Sequence, residues 1–212
     1  MADNKKELFD AVVAYKVDGI KAAVEKARKA GMPAGAIIDA MGAGMTEVGI
    51  MFERGKLFLP HVLSAAQGMK SAMEILGPEL KKSGDVSTKR ASVAMGTVEG
   101  DVHDIGKSIC STMLQCAGFD VHDLGRDVPN GAFMNEIKKG GCTMIGMSAL
   151  MTTTMTMQKA MIELLKAEGI RKKIIVMVGG APVTQAYADK IGADIYGNTA
   201  TETVGKAKAI NK

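Results

Sequence analysis

Asp101 and His103 are the pair on which chemistry can be built. They stand two residues apart in Gly96-Thr-Val-Glu-Gly-Asp-Val-His-Asp-Ile-Gly-Lys107. If one ring nitrogen of a histidine binds a metal, the other must be held, and a carboxylate accepting its N–H fixes the tautomer and raises basicity. A zinc site needs more ligands nearby. The other two histidines, His61 and His122, are far away in sequence, and neither is expected to have a Cys or acidic partner. A single protein ligand therefore suits a metal whose remaining positions a macrocycle supplies. The plainer reading stays open beside it: His103 caps or hydrogen-bonds the start of a helix. As a bare pattern, Asp-x-His-x-x-Gly arises by accident in roughly one chain in a hundred of this size.

The elements that must position this pair follow a β-then-α grammar beyond residue 85. Short apolar runs at Ala91–Met95, Phe119–Leu124, Met144–Met147, Ile174–Val178 and Asp194–Tyr196 predict strands. Each precedes a helical pattern, near Asp104–Ala117, Gly131–Lys139, Met155–Ala167, Val183–Ile191 and Thr201–Ala209. Such alternation implies a parallel sheet with helices on both faces. Ligands bind such sheets at the carboxyl ends of the strands, and the Asp101–His103 loop leaves the first of them. Earlier, spacings of three and four predict helices over about Lys5–Lys16, Gly19–Ala30, Pro33–Arg54 and Pro60–Leu76. Four helices with short connections predict a small bundle. The polar stretch Lys81–Thr88 reads as a linker. The expected fold class is thus α + α/β: a four-helix bundle over 1–85, then a Rossmann-like or flavodoxin-like parallel-sheet domain over 90–212.

Composition excludes several alternatives. At 212 residues, with 47% apolar and 24% charged residues, the chain can bury a core and is neither disordered nor fibrous. A net charge of +4, spread along the chain with no basic block, and 4% aromatics argue against nucleic acid and anionic membranes as partners. No stretch approaches the ~20 consecutive apolar residues of a membrane span, and the start has no apolar core of a signal peptide. The three cysteines, Cys110, Cys116 and Cys142, form no Cys-x-x-Cys pair and are expected to be reduced and buried. The expected compartment is the cytoplasm.

The motifs carry a resemblance. Asp101-x-His103-x-x-Gly106, then Ser148-x-Leu150 in Gly146-Met-Ser-Ala-Leu-Met-Thr-Thr-Thr154, then Gly179-Gly180, stand in order, each after a predicted strand. With them the chain resembles the cobalamin-binding corrinoid proteins of methyl-transfer systems, which share their fold with the cobalamin module of methionine synthase. Val48-Gly-Ile-Met-Phe-Glu-Arg-Gly-Lys-Leu-Phe-Leu-Pro60 is similar to the helical cap segment that precedes that module. Methylamine corrinoid proteins are the subgroup most alike, dimethylamine first and trimethylamine second.

The resemblance implies roles residue by residue. His103 would displace the nucleotide base of cobalamin and bind cobalt, giving a base-off, His-on cofactor. Asp101 would hold its second nitrogen. Thr154 stands where methionine synthase has a Ser completing that relay. Gly100, Val102, Asp104 and Gly106 complete the cofactor-binding motif. Ser148 and Thr152 would contact the displaced nucleotide tail, Leu150 would line its slot, and Gly179 and Gly180 would let it pass close to backbone. Phe52 and Leu59 fall on cap positions that shield the methyl face, although apolar residues at helical spacing serve equally as bundle core. Glu99 and Lys107 are given no role and read as solvated loop charges.

The implied partners are a methylamine:corrinoid methyltransferase, a methylcorrinoid:thiol (coenzyme M) methyltransferase and a reductive activase. Nothing in the chain looks able to activate a methyl donor, so no catalytic residue is assigned. Hinge motion is expected about residues 81–89, since the cap must open for donor and acceptor. A cobalamin-dependent mutase subunit would share the three motifs, but the Phe52–Pro60 segment speaks against it.

Overall fold

The computed structural model describes residues 2–83, 91–139 and 141–210. They form two compact units, one of the N-terminal helices and one of the sheet with its helices.

The helical unit comprises α1 (Ala2–Val13), α2 (Val17–Lys29), α3 (Ala34–Glu53) and α4 (Leu59–Ser83). Its core is the set of positions repeating every three or four residues. Leu8 and Val12 of α1, Ile20, Val24 and Ala27 of α2, Ile37, Met41 and Val48 of α3, and Val62, Ala65, Met69 and Leu76 of α4 are all essentially inaccessible. Gly44 allows α1 and α3 to approach closely, because a Cβ there would lie 2.8 Å from Phe9 O and 2.9 Å from Val12 Cβ.

Two features of this unit differ from expectation. An 18-residue window of α3 has a mean hydropathy of 1.2, long and apolar enough to cross a membrane by length and composition alone. Its apolarity serves the bundle instead: α3 packs against α1 and α4, with Ile37, Met41, Met45 and Val48 in the core. The fourth helix also runs seven residues past Leu76, through Gly77-Pro78 to Ser83. Arg28 of α2 reaches Glu79 of that last stretch at 2.8 Å, a contact invisible to local propensity. Residues 81–83 of the expected linker are therefore helical, and its remainder, including most of the expected hinge, lies outside the described residues.

The second unit is a parallel sheet of β1 (Ser92–Thr97), β2 (Asp120–Asp123), β3 (Cys142–Ser148), β4 (Ile175–Gly179) and β5 (Ile195–Tyr196). The helices α5 (Ile105–Cys116), α6 (Asn130–Lys138), α7 (Met155–Ala167), α8 (Gln185–Ile191) and α9 (Ala200–Ile210) alternate with the strands. The strand order is β2-β1-β3-β4-β5, the flavodoxin-like doubly wound order. β1 is buried from Val93 to Thr97, as a central parallel strand covered on both faces must be. Phe133 of α6, Met161, Ile162 and Leu165 of α7 and Ile191 of α8 pack with Ile145, Met147, Val176 and Val178 in one apolar cluster.

This order fixes where a ligand goes. The chain turns in opposite directions from β1 and from β3, which leaves a crevice at their carboxyl ends. Thr97 of β1 stands beside Ser148 of β3 in register. The Asp101–His103 loop and the Ser148–Thr154 loop are thereby set side by side, although some fifty residues separate them.

Candidate functional site

Asp101 is the hub of this crevice. It is fully buried, and its two oxygens face different loops. Oδ1 accepts the His103 amide at 3.1 Å and lies 2.8 Å from His103 Nδ1. Oδ2 accepts the Leu150 amide at 2.7 Å and the Met151 amide at 3.3 Å. Thr154 Oγ1 lies 2.8 Å from Oδ2 and 2.9 Å from Met151 O, so its one hydroxyl proton can serve either acceptor. Burial pushes the Asp101 carboxyl up, but the hydrogen bonds from His103, Leu150 and Thr154 outweigh it and hold the group well below the usual carboxylate range. Asp101 is therefore an anion at neutral pH, and Nδ1 of His103 carries the proton it accepts. Nε2 has no hydrogen-bond partner among the described residues. The ring is half exposed, its side-chain accessibility 49%.

The loop is pinned from behind as well. Thr97 Oγ1 donates to His103 O at 3.1 Å. Asp127, in the left-handed region at φ 54°, accepts the Gly100 amide on Oδ1 at 2.7 Å and donates its own amide to Asp101 O at 3.0 Å. Asp127 was not read from the sequence. A lone Asp in Gly125-Arg-Asp-Val-Pro gives no signal until the β1–β2 pairing lays that turn against the motif loop.

Beside His103 opens a cavity of about 600 Å³, an ordinary size for a ligand pocket (~300–1,000 Å³). Val102, His103, Asp104, Gly106, Ser148, Leu150, Gly179 and Gly180 all line it. Asp101 and Thr154 are buried and Gly100 is exposed, and none of the three lines it. Thr152 is exposed on the turn before α7 and is not among the lining residues. Phe52 and Leu59 belong to the helical unit, half-buried at the end of α3 and the start of α4, with Leu57 between them in its core. Lys107 also lines the cavity, and it is no solvated loop charge. It is 4% exposed, with Nζ 2.6 and 2.7 Å from the two Asp123 oxygens, an ion pair that joins the first turn of α5 to the end of β2.

The expectation that His122 lacks partners is likewise corrected. Its Nδ1 lies 2.8 Å from Glu136 Oε2 and 3.7 Å from Cys142 Sγ. The crossover helix α6, joining β2 to β3, delivers Glu136 to that spot.

The donor set fits a corrinoid. At the cavity wall a single imidazole nitrogen stands ready for a metal, its ring already oriented by a carboxylate. Val102, Ile105 and Leu150 beside it are 57%, 68% and 43% exposed, an apolar rim of the kind a flat macrocycle would cover. Further in, Gly179 and Gly180 form wall. Gly180 has φ 125°, and a Cβ on it would meet Ala149 O at 1.8 Å. Only glycine lets the two loops close together there.

Comparison with known proteins agrees. The B12 binding domain family matches residues 91–205, and a second B12 binding domain family matches residues 5–76. Dimethylamine corrinoid protein 1 of Methanosarcina mazei is 55% identical over 204 residues, covering 96% of this chain and 94% of its own. The crystal structure of a cobalamin-binding protein from Desulfitobacterium hafniense superposes with a TM-score of 0.83 at 32% identity, over 97% of each chain. A chain of the methanol:cobalamin methyltransferase complex from Methanosarcina barkeri gives 0.78 at 32% identity, over 98% of this chain and 79% of that one. The chain belongs to the B12-binding corrinoid proteins, the family of the dimethylamine corrinoid proteins.

Proposed function

We propose that this chain is a corrinoid methyl carrier that receives a methyl group from dimethylamine through one partner methyltransferase. It would pass that group to a second methyltransferase, which methylates a thiol such as coenzyme M. The observation that carries this reading is the unpartnered Nε2 of His103 at the cavity wall, on a ring whose Nδ1 is held by a buried anion. When bound, the corrinoid supplies a cobalt ion that accepts and surrenders a methyl group.

The chain's own residues do the rest. His103 would hold the cobalt through Nε2, base-off and His-on. Asp101 fixes its tautomer and stabilises the ring if it takes up a second proton. Thr154 can turn its hydroxyl proton toward Asp101 or toward Met151 O, which adjusts how strongly the carboxylate pulls on the imidazole. Val102, Ile105 and Leu150 gain burial when the macrocycle covers them. Gly100, Asp104 and Gly106 shape the ligand loop, Ser148 would contact the nucleotide tail, and Gly179 and Gly180 would leave it room. The helical unit, within about residues 1–85, is assigned the role of cap, in which Phe52 and Leu59 would shield the methyl group.

The relatives, dimethylamine corrinoid proteins and a methanol:cobalamin methyltransferase complex, support dimethylamine as donor and methyltransferases as partners. A reductive activase and a cytoplasmic location complete the reading. Two measurements test it. The absorption spectrum of cobalamin mixed with the protein should lose its base-on signature, and His103→Ala should abolish that change. An unchanged spectrum with the unaltered protein overturns the ligand assignment. Methyl transfer from mono-, di- and trimethylamine, each with its own methyltransferase, should be fastest from dimethylamine. A preference for trimethylamine would reassign the donor.

A further inference from the structure

On the far side of β1 from β3, the edge strand β2 offers only half-buried and exposed residues over its four positions. It has little apolar surface with which to hold its place. At this weak edge His122, Glu136 and Cys142 converge, their ligand atoms all within 4.8 Å of one another. They come from three elements: β2, the crossover helix α6 and the first residue of β3. We propose that His122, Glu136 and Cys142 form a binding site for a soft divalent metal ion, zinc in the first instance, that ties β2 to α6 and β3.

The donor types and their spacing support this. A thiolate and an imidazole on a tetrahedral zinc, at about 2.3 and 2.0 Å, stand about 3.6 Å apart; Cys142 Sγ and His122 Nδ1 are 3.7 Å apart. Imidazole and carboxylate on the same ion stand about 3.4 Å apart. The 2.8 Å between His122 Nδ1 and Glu136 Oε2 is the hydrogen bond of the metal-free pair, which opens by roughly 0.6 Å as the ion enters. Surrounding groups hold the ligands as such sites require. Asp120 Oδ2 lies 3.6 Å from His122 Nε2, on the side of the ring away from the metal, and accepts from Ser92 Oγ at 3.2 Å. Lys139 holds the other Glu136 oxygen at 2.9 Å, leaving Oε2 for the ion.

The charges balance as well. On binding, the thiol proton leaves to solvent, and the thiolate and the Glu136 carboxylate neutralise the two positive charges, with water at the fourth position. The site shares no residue with the corrinoid cavity.

The test is zinc titration of the full chain against a chromophoric indicator. The unaltered protein should bind one equivalent. Cys142→Ser and His122→Ala should lose it, and Glu136→Gln, which changes a partly exposed side chain, should weaken it at least about tenfold. Zinc should raise the thermal midpoint of the unaltered protein and leave that of Cys142→Ser unmoved. Circular dichroism confirms that each variant is folded, and Glu136→Gln keeps the test decisive if another is not. Cobalt(II) in place of zinc should give thiolate charge-transfer absorption in corrinoid-free protein. No bound zinc, or zinc retained in Cys142→Ser and Glu136→Gln, overturns the proposal. So does zinc lost in His103→Ala, which would place it at the corrinoid ligand.

Discussion

Gly180 faces Ala149 so closely that a Cβ on the one would sit 1.8 Å from the carbonyl oxygen of the other. The loops leaving β3 and β4 touch backbone to backbone at that point, and neither is the flexible end of a side chain that could yield. Gly180→Ala should therefore destabilise the protein by on the order of 3 kcal/mol, combining a strained φ with a clash. Urea unfolding of corrinoid-free protein measures this, and a shift below about 1 kcal/mol would show that the loops can part cheaply.

Asp101 makes a sharper comparison. Its two oxygens both accept, one from His103 and one from Leu150, Met151 and Thr154. An Asn has one acceptor and would turn its NH₂ against donors on the other side. Asp101→Asn and Asp101→Ala should thus be similarly destabilised, by roughly 2–4 kcal/mol. Equilibrium unfolding of both decides it; an Asn variant close to the unaltered protein would mean that charge and second acceptor matter little.

At Asp127 the opposite ranking is expected. The left-handed backbone suits Asn as well as Asp, and an amide oxygen can accept from Gly100 as the carboxylate does. Asp127→Asn should be within about 0.5 kcal/mol of the unaltered protein, and Asp127→Ala should lose about 1–2 kcal/mol. Hydrogen exchange at the Gly100 amide reads the local effect: faster in the Ala variant, little changed in the Asn one.

The cysteines should resist alkylation. Burial pushes the thiols of Cys110 and Cys116 up to about 12, which leaves about one in ten thousand as thiolate at pH 8. All three are free and buried. Iodoacetamide should label neither Cys110 nor Cys116 until the chain is unfolded, and mass spectrometry of native and urea-treated protein shows whether it does.

Much of this arrangement was legible in the sequence because it rests on local pattern. Alternating apolar runs and helical spacing predict each strand and helix of the second unit to within a few residues, and the start of α7 at Met155 is the start observed. The pairing of Asp101 with His103 follows from their two-residue spacing. What stayed hidden depends on strand order. Asp127 reaches Gly100, and Lys107 reaches Asp123, only once β2 lies against β1. The cluster at His122 needs α6 and the first residue of β3 as well. The end of α4 was hidden for another reason: Gly77-Pro78 carries a local signal to stop, and the contact from Arg28 to Glu79 lies 51 residues away.

The double reach of Asp101 has a consequence for anyone redesigning the carrier. The group that orients the His103 ring is also the rivet between the loops of β1 and β3, so its chemistry cannot be retuned without loosening the top of the sheet. Thr154 is a gentler dial. Exchanging its hydroxyl alters the electron density available to His103 through one contact, while the amides of Leu150 and Met151 keep their acceptor and the rivet stays in place.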